Sequence, residues 1–397
     1  MTLDRFVLVP LALGHLTLVV LAFNVMHGLG YREHTTRPAR VALLVFLSAG
    51  FGLIGWEAFN GSVAAWSWPV LAYAAVCVST GAVFFPIFTA YLHLRPRPQA
   101  VEVKEKEVDV AGKAGGRAAL IGGGPYSWML GLPGNESLRL RTLDCTVTMP
   151  SLPRELDGLS ILHLSDLHLA TSLGRPYYET VIDEAAALDA DLVLFTGDLI
   201  DDDAALDWVA PLMSRLKGRL ATFAILGNHD MEHHPGTILQ RLGDAGVPHL
   251  EGRWATVKHE GATIALGGTC HPWGPPLSLD ETPDADFRVL LSHAPDLFYW
   301  AERAGFDLML SGHNHGGQVR VPLVGSVFIP SVYSRRFDRG FFLRRGLTLH
   351  VSQGVAGKHP VRYGCVPEVS RLVLRAAPVG AVGRPKGSRA AGRGVAH

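Results

Sequence analysis

The sequence predicts an α/β domain, its sheets packed together and flanked by helices, preceded by about three transmembrane helices. Three observations carry this reading. The first 95 residues hold three long apolar runs. Beyond them, strand-like and helix-like patterns alternate and then turn β-rich. Finally, five apolar strand-like runs each end in a short cluster of aspartate, asparagine or histidine.

A chain of 397 residues accommodates two or three domains. Its 36 basic residues balance 36 acidic ones, so global charge points to no polyanionic partner and no nucleic-acid polymer is expected. Cys77, Cys145, Cys270 and Cys365 lie far apart with no Cys-x-x-Cys pair. That is no disulfide framework, and it agrees with reduced thiols.

Residues 1–95 read as a membrane anchor. Phe6 to Met26 is apolar except for His15 and Asn24, long enough to cross a hydrocarbon core of roughly 30 Å. It lacks the small-x-small site of a cleaved signal peptide, and two more apolar runs follow. After a polar loop, Tyr31 to Arg40, a shorter span is expected at 39–56 and a third at 66–94. Pro69 and Pro86 are tolerable in the third where neighbouring helices satisfy the freed carbonyls. Arg32, Arg37 and Arg40 mark the first loop, whereas Glu57 to Ala65 carries no basic residue; Arg95, Arg97, Lys104 and Lys106 follow the third span. The positive-inside rule then predicts a multi-pass protein of the cell membrane with its soluble domain on the cytoplasmic face. A second run that only dipped into the bilayer would invert this topology.

Residues 96–136 are expected to be a linker, charged from Val101 to Val110 and glycine-rich from Gly112 to Gly124. Residues 137–375 carry the soluble domain. Strands are predicted at Thr142–Met149, Leu159–Leu164, Leu192–Phe195 and Ala221–Leu226, and helices at Pro176–Leu188, Ala204–Leu216 and Thr237–Leu242. Further strands are expected at Thr263–Leu266, Arg288–Leu291 and Leu308–Leu310, with a helix at Pro295–Arg303. Val319–Val321, Val327–Ile329, Leu347–Val351 and Val369–Leu374 complete the strands. Residues 376–397, with Arg384, Lys386, Arg389 and Arg393 among glycine and alanine, read as a disordered basic tail.

The chemistry sits at the strand ends, in Asp166-Leu-His168, Gly197-Asp198, Gly227-Asn228-His229-Asp230, Ser292-His293 and Gly312-His313-Asn314-His315. Each alone has a structural explanation: Gly-Asp is a turn, Asn-His-Asp caps a helix, Ser-His is a hydrogen-bonded core histidine. Together they lie where loops of an α/β sheet converge on a ligand. Asp166, His168, Asp198, Asn228, His293, His313 and His315 offer seven oxygen and nitrogen donors and no thiolate. That set fits a pair of divalent metals rather than a cysteine-type zinc site. Asp198 is the central candidate to bridge them, and two such cations would clamp a displacement at phosphorus and acidify a shared water. His229 and Asp230 are placed to act as proton donor and its orienter.

This series resembles the calcineurin-like metallophosphoesterase superfamily over about Leu156 to Leu374. The wording His163-Leu-Ser-Asp-Leu-His168, Gly312-His-Asn-His-Gly-Gly-Gln-Val319 and Val361-Arg-Tyr-Gly-Cys-Val-Pro-Glu-Val369 is similar to its bacterial membrane-associated phosphodiesterase branch. The resemblance implies a two-sheet α/β/β/α sandwich and two divalent ions, Mn, Fe or Zn. It implies Asp166, His168 and His315 on one metal, Asn228, His293 and His313 on the other, Asp198 between them, and attack on phosphorus by a hydroxide bridging the two. His229 would protonate the leaving oxygen with Asp230 orienting it. Protein phosphatases of the superfamily carry Arg-Gly shortly after Gly-Asp and Glu after Asn-His. Here Gly197-Asp198 is followed by Leu-Ile-Asp201-Asp202, and Asn228-His229 by Asp230, which disfavours a phosphoprotein phosphatase.

The expected activity is that of a membrane-anchored, metal-dependent phosphodiesterase acting on a lipid-linked or nucleotide-linked phosphate. Alternatives are a phosphomonoesterase, a soluble-nucleotide phosphodiesterase, or a non-catalytic binding scaffold, against which the intact His229 argues. A transporter is a weaker reading, because the apolar runs carry few ionisable residues. Arg320, Arg335, Arg336 and Arg362 are candidates to grip phosphate. His271 and Trp273 are candidates to line a pocket, His233 and His234 read as an exposed loop pair, and His163 reads as a structural histidine.

Overall fold

The computed structural model describes residues 4–30, 33–60, 68–95, 98 and 100–378, so the expected basic tail lies almost wholly outside the described residues. The chain divides into two units. One comprises residues 1–96 together with Val321–Arg336, and the other Arg97–Arg320 with 337–397.

The first unit is built from α1 (Asp4–Gly28), α2 (Glu33–Asn60), α3 (Trp68–Ser79) and α4 (Phe85–Leu94). Helix α3 runs into α4 through one π turn, Thr80–Phe84, in which the Phe85 amide bonds the Thr80 carbonyl. That wider turn sits where Pro86 denies the helix an amide. Three stretches are long and apolar enough to cross a membrane: Phe6–Gly28, Thr36–Trp56 and Trp68–Leu94. The second, which the sequence made the shortest, reaches 21 residues because α2 starts within the expected polar loop. At 1.5 Å per residue this covers roughly 30 Å. Val327–Ile329, expected as a strand, is not one. It lies in the insertion Val321–Arg336, where the Asn24 side chain takes the Val327 carbonyl (3.1 Å) and the Ile329 amide (3.1 Å).

In the second unit the chain runs β1 (Val101–Val108), α5 (Val110–Lys113), β2 (Leu140–Met149), β3 (Ser160–Leu164), α6 (Arg175–Ala186), β4 (Leu192–Thr196), α7 (Leu206–Met213) and β5 (Ala221–Ile225). It continues through α8 (Asn228–Glu232), α9 (Pro235–Asp244), β6 (Arg253–His259), β7 (Ala262–Thr269), β8 (Phe287–Ser292), α10 (Phe298–Ala304) and β9 (Leu308–Ser311). A short pair, β10 (Arg320–Val321) and β11 (Gly325–Ser326), leads into and lies in the insertion of the first unit, after which the second unit resumes with β12 (Gly340–Arg344), β13 (Leu347–Val351) and β14 (Glu368–Ala376).

Two six-stranded sheets result, ordered β1-β2-β14-β3-β4-β5 and β12-β13-β9-β8-β7-β6. Alternation along each strand sends residues to two different cores. Ile161, Leu192, Leu194 and Ile225 meet Ile264, Leu266, Val289, Leu291 and Leu310 in one apolar cluster between the sheets. Leu162, Leu164, Val193 and Phe195 face the other way and pack with Val181, Val209 and Ile238 of α6, α7 and α9. Strands buried on both faces are what parallel pairing demands, and β3-β4-β5 and β7-β8-β9 are parallel. Their carboxyl ends carry all five polar clusters.

The expected linker is instead part of this unit. Strand β1 pairs antiparallel with β2 from Val101↔Val147 to Val108↔Leu140. Its side chains are nearly all exposed, so its charges gave no core pattern. The strand is held by backbone pairing and by ion pairs such as Glu107–Arg139 and Glu105–Arg141. Val110, Leu120 and Leu130 then bury themselves in the helix-side core. His163 is structural, as expected: its Nδ1 lies 2.8 Å from Nδ1 of His350 and its Nε2 2.9 Å from the Thr196 hydroxyl.

Two outcomes follow. A chain begun at Ser137 gives up β1 and three buried side chains worth about 2 kcal/mol each. It should be less stable by about 5 kcal/mol or more in thermal unfolding than one begun at Pro98; equal stability would mean the segment is an appendage. Burial pushes His163 down to about 3 and His350 well below its ordinary value, so the folded state refuses protons that the unfolded chain accepts near pH 6.5. The pair's contribution is whole above that pH and falls toward pH 3 by about 1.4 kcal/mol per pH unit for each proton. In urea unfolding between pH 7 and 5, the double variant His163→Leu/His350→Leu should show the shallower decline.

Candidate metal centre

Each predicted donor hangs on a very short connection from a parallel strand: Asp166 and His168 after β3, Asp198 after β4, Asn228 after β5, His293 after β8, His313 and His315 after β9. So tight a convergence strains the backbone. Asp166, His168, Asp198, His313 and His315, five of the seven donors, have left-handed φ angles between 42° and 66°. Non-glycine residues rarely adopt such angles, and they gather at functional sites. Glycine clears the remaining space: a Cβ on Gly227 would stand 2.1 Å from Asp198 Oδ1, and one on Gly354 would stand 2.6 Å from Asp166 Cβ.

The donors form two groups that share Asp198. Asp166, His168, Asp198 and His315 converge on one point, and Asp198, His293 and His313 on another, the donor atoms of each group lying within 4.8 Å of one another. His168 Nε2 is 3.1 Å from His315 Nε2 and 3.5 Å from Asp198 Oδ2. On the other side, His293 Nε2 lies 3.3 Å from Asp198 Oδ2, 3.2 Å from His313 Nδ1 and 3.0 Å from Asn228 Oδ1. Asn228 therefore joins the second group.

Asp198 decides what this arrangement holds. Its Oδ1 accepts the His229 amide (2.9 Å), but its fully buried Oδ2 has no hydrogen bond. A buried carboxylate oxygen in that position is costly unless positive charge compensates it, and here the imidazoles of His293 and His168, at 3.3 and 3.5 Å, are what face it. Oxygen and imidazole donors on both sides, without thiolate, suit divalent ions such as Mn, Fe or Zn. Burial opposes its ionisation, yet His293, His229 and His168 hold its carboxyl well below the usual range. His313 and His315 are pushed down to about 3, mainly by burial, so their rings are held in the neutral form that a metal ligand needs. Burial also lowers His293, but Asp198 and Asp166 lift it to about 9, so a metal entering there must displace a proton.

Two of the candidate donors are oriented from behind. His293 Nδ1 meets the Thr196 carbonyl (2.8 Å), and His168 Nδ1 meets Asp201 Oδ2 (2.7 Å). Asp201, to which the sequence reading gave no role, also lies 2.5 Å from His229 Nδ1 through Oδ1. It fills the place expected of Asp230. The Asp230 carboxylate is turned inward, taking the amides of Leu199 (2.8 Å), Ile200 (3.0 Å) and Gly227 (2.8 Å). Standing in the first turn of α8, Asp230 is drawn to those amides rather than to its neighbour's ring, and burial with the nearby Asp198 raises it to about 6. The available signal was the spacing Gly-Asp-x-x-Asp in residues 197–201, which sets a second carboxylate beside the first.

The other candidates separate. Trp273 covers the second group, 4.9 Å from the His313 ring and 5.9 Å from His293. Arg362 is buried, donates to the Gln353 carbonyl (2.7 Å) and reaches His315 Nδ1 at 3.4 Å, so it braces the His315 ring. Arg320 pairs with Asp338 (2.8 Å), Arg335 and Arg336 belong to the first unit, and His233 and His234 pair with Asp203. His229 and Asn228 remain partly exposed, at the open side of the centre.

Known proteins resemble this chain. Residues 159–317 match the family described as calcineurin-like phosphoesterase. The chain is 32 % identical over 226 residues to the phosphodiesterase YaeI of Escherichia coli, covering 54 % of this chain and 81 % of that one. It is 28 % identical over 270 residues to the uncharacterized metallophosphoesterase YkuE of Bacillus subtilis, covering 65 % and 92 %. It is 29 % identical over 261 residues to a transmembrane protein with metallophosphoesterase domain from Bos taurus, covering 59 % and 57 %. The two-sheet architecture, the donor set at its strand ends and these relatives agree: the chain belongs to the calcineurin-like phosphoesterase family.

Proposed function

We propose that this chain is a membrane-anchored phosphodiesterase that holds two divalent ions and acts on a lipid-linked or nucleotide-linked phosphate. The observation that carries the reading is Asp198, shared between two donor groups with its buried Oδ2 left without a hydrogen bond. Asp166, His168 and His315 would hold one ion, Asn228, His293 and His313 the other, with Asp198 common to both. Bound there, such ions supply Lewis acidity at phosphorus and an activated water.

The chain's own residues do the rest. Asp201 fixes the rings of His168 and His229 together, so ligand and proton donor keep one spacing. With Nδ1 committed to Asp201, His229 has Nε2 left to protonate a departing oxygen. Burial works against its charged form, but Asp198 and Asp201 outweigh burial and hold His229 above its ordinary value, toward the protonated state a donor needs.

The anchor supports a substrate held in or near the bilayer. Its topology is supported by the first unit itself, since one segment bonds both Asn24 near the end of α1 and His93 near the end of α4. Three crossings place those two ends on one face. Arg37, Arg40 and Arg95 then favour that face being cytoplasmic.

Two measurements test the reading. Full-length protein in detergent, stripped by chelator and resupplied with Mn²⁺, should hydrolyse bis-(p-nitrophenyl) phosphate faster than p-nitrophenyl phosphate. His229→Ala should lose about 10²–10⁴-fold of that turnover, and Asp201→Asn about 10–100-fold. Preference for the monoester would favour the phosphomonoesterase, and metal binding without turnover the scaffold. In thermal unfolding, saturating Mn²⁺ should stabilise the chain, by about 2.7 kcal/mol at a hundredfold excess over Kd. Asp198→Asn should abolish most of that gain, because both donor groups depend on it.

A further inference from the structure

The insertion Val321–Arg336 interrupts the second unit's chain yet belongs with the apolar helices. It begins six residues after His315, and the chain returns at Phe337, whose carbonyl accepts from Asn314 Nδ2 (2.7 Å), between the donors His313 and His315. Its seating on the helices is specific. Asn24, a polar residue in an apolar helix, is fully buried and spends its whole amide on the insertion. Nδ2 donates to the Val327 carbonyl (3.1 Å) and the Ser334 hydroxyl (3.0 Å), and Oδ1 accepts from Ile329 (3.1 Å). Phe328 stacks edge-on against Phe23 and His27, 5.4 and 5.5 Å away. His93, next to the last residue of α4, lies 2.7 Å from the Leu323 carbonyl, and Arg95 donates to the Arg336 carbonyl (3.1 Å). Arg335 reaches over the Phe88 ring to the Val324 carbonyl.

So fastened, the β10–β11 hairpin turns its apolar side chains outward. Leu323 at its tip is 88 % exposed, with Val321 and Phe328 each more than 40 % exposed beside it. We infer that this hairpin is a lipid-binding element, seated at the boundary between headgroups and acyl chains around the ends of α1 and α4. The occupant follows from position. The hairpin's contacts are with the final turns of two apolar helices, where hydrocarbon gives way to headgroups. Around the tip, His93, Arg95 and Arg335 set imidazole and guanidinium groups against backbone carbonyls, while the side chains of Val321, Leu323 and Phe328 face the surroundings. An element polar on its attached side and apolar on its free side is one that lies in such an interface. The inference rests on the helices being membrane spans and not on the reaction, so it stands or fails separately from the phosphodiesterase.

The test is depth-dependent fluorescence. The four native cysteines are buried, so Leu323→Cys in the full chain offers a selective attachment point. The variant, labelled with an environment-sensitive nitrobenzoxadiazole, is reconstituted into phosphatidylethanolamine/phosphatidylglycerol vesicles, with Leu343→Cys on β12 as the water-level reference. The expected result is blue-shifted emission at 323, quenched by nitroxide carried near the lipid headgroup and protected from aqueous iodide. Adding Asn24→Ala should move the 323 signal toward the reference. Water-like emission quenched by iodide overturns the assignment. So does a blue shift that nitroxide lipids leave unquenched, which would assign the tip to a protein contact, and so does quenching strongest from the bilayer centre, which would make the hairpin a deep insertion.

Discussion

One buried oxygen constrains the second unit. Asp198 Oδ2 sits between two imidazole-rich groups without a hydrogen bond, and everything around it is arranged to hold it there. Removing a carboxylate from water costs several kcal/mol even after relaxation. Five donors in left-handed conformations add about 1 kcal/mol each, or about 5 kcal/mol together. Against a typical net stability of about 5–15 kcal/mol, that is a large share. The sandwich offsets it with strands buried on both faces, and cations bound at the site would return part of it.

The same constraint explains the topology near the centre. Strands β3, β4 and β5 of one sheet and β8 and β9 of the other all deliver their donors from carboxyl ends, after connections too short to wander. Parallel strands end on one edge, so residues more than a hundred positions apart become neighbours, as His168 and His315 do at 3.1 Å. Further support comes from behind the donors, through Asp201, Thr196 and the buried Arg362. These residues fix ring orientation, which side chains lying on flexible loops would not.

What was legible in the sequence divides along physical lines. The convergence of the seven candidate donors was readable because each is tied to the end of an apolar run, a short-range pattern. Asp201 was not singled out because its partners, His168 and His229, become neighbours only through the fold. Asp230 was misassigned for the related reason that adjacency in sequence does not give adjacency of side chains at a helix start, where backbone amides attract the carboxylate. Strand β1 escaped because hydrophobic alternation reports burial, and an exposed edge strand carries no such report; its pairing with β2 is written in backbone hydrogen bonds and in arginines more than thirty residues away. The three apolar runs were clear from length and composition, whereas the insertion seated on the ends of α1 and α4 depends on an amide some three hundred residues distant.

That amide also bears on how the first apolar helix is built. A span serving only as a tether needs no polar residue, and an asparagine inside hydrocarbon is tolerated when its donors and acceptor are all used. Asn24 meets that condition only with the insertion in place, and the insertion has its Val327 carbonyl and Ile329 amide satisfied only with Asn24 in place. Helix and insertion therefore specify each other. Exchanging α1 for an unrelated apolar helix would strand those backbone groups. The first apolar helix is thus part of the first unit's folded architecture, and the insertion is built to its measure.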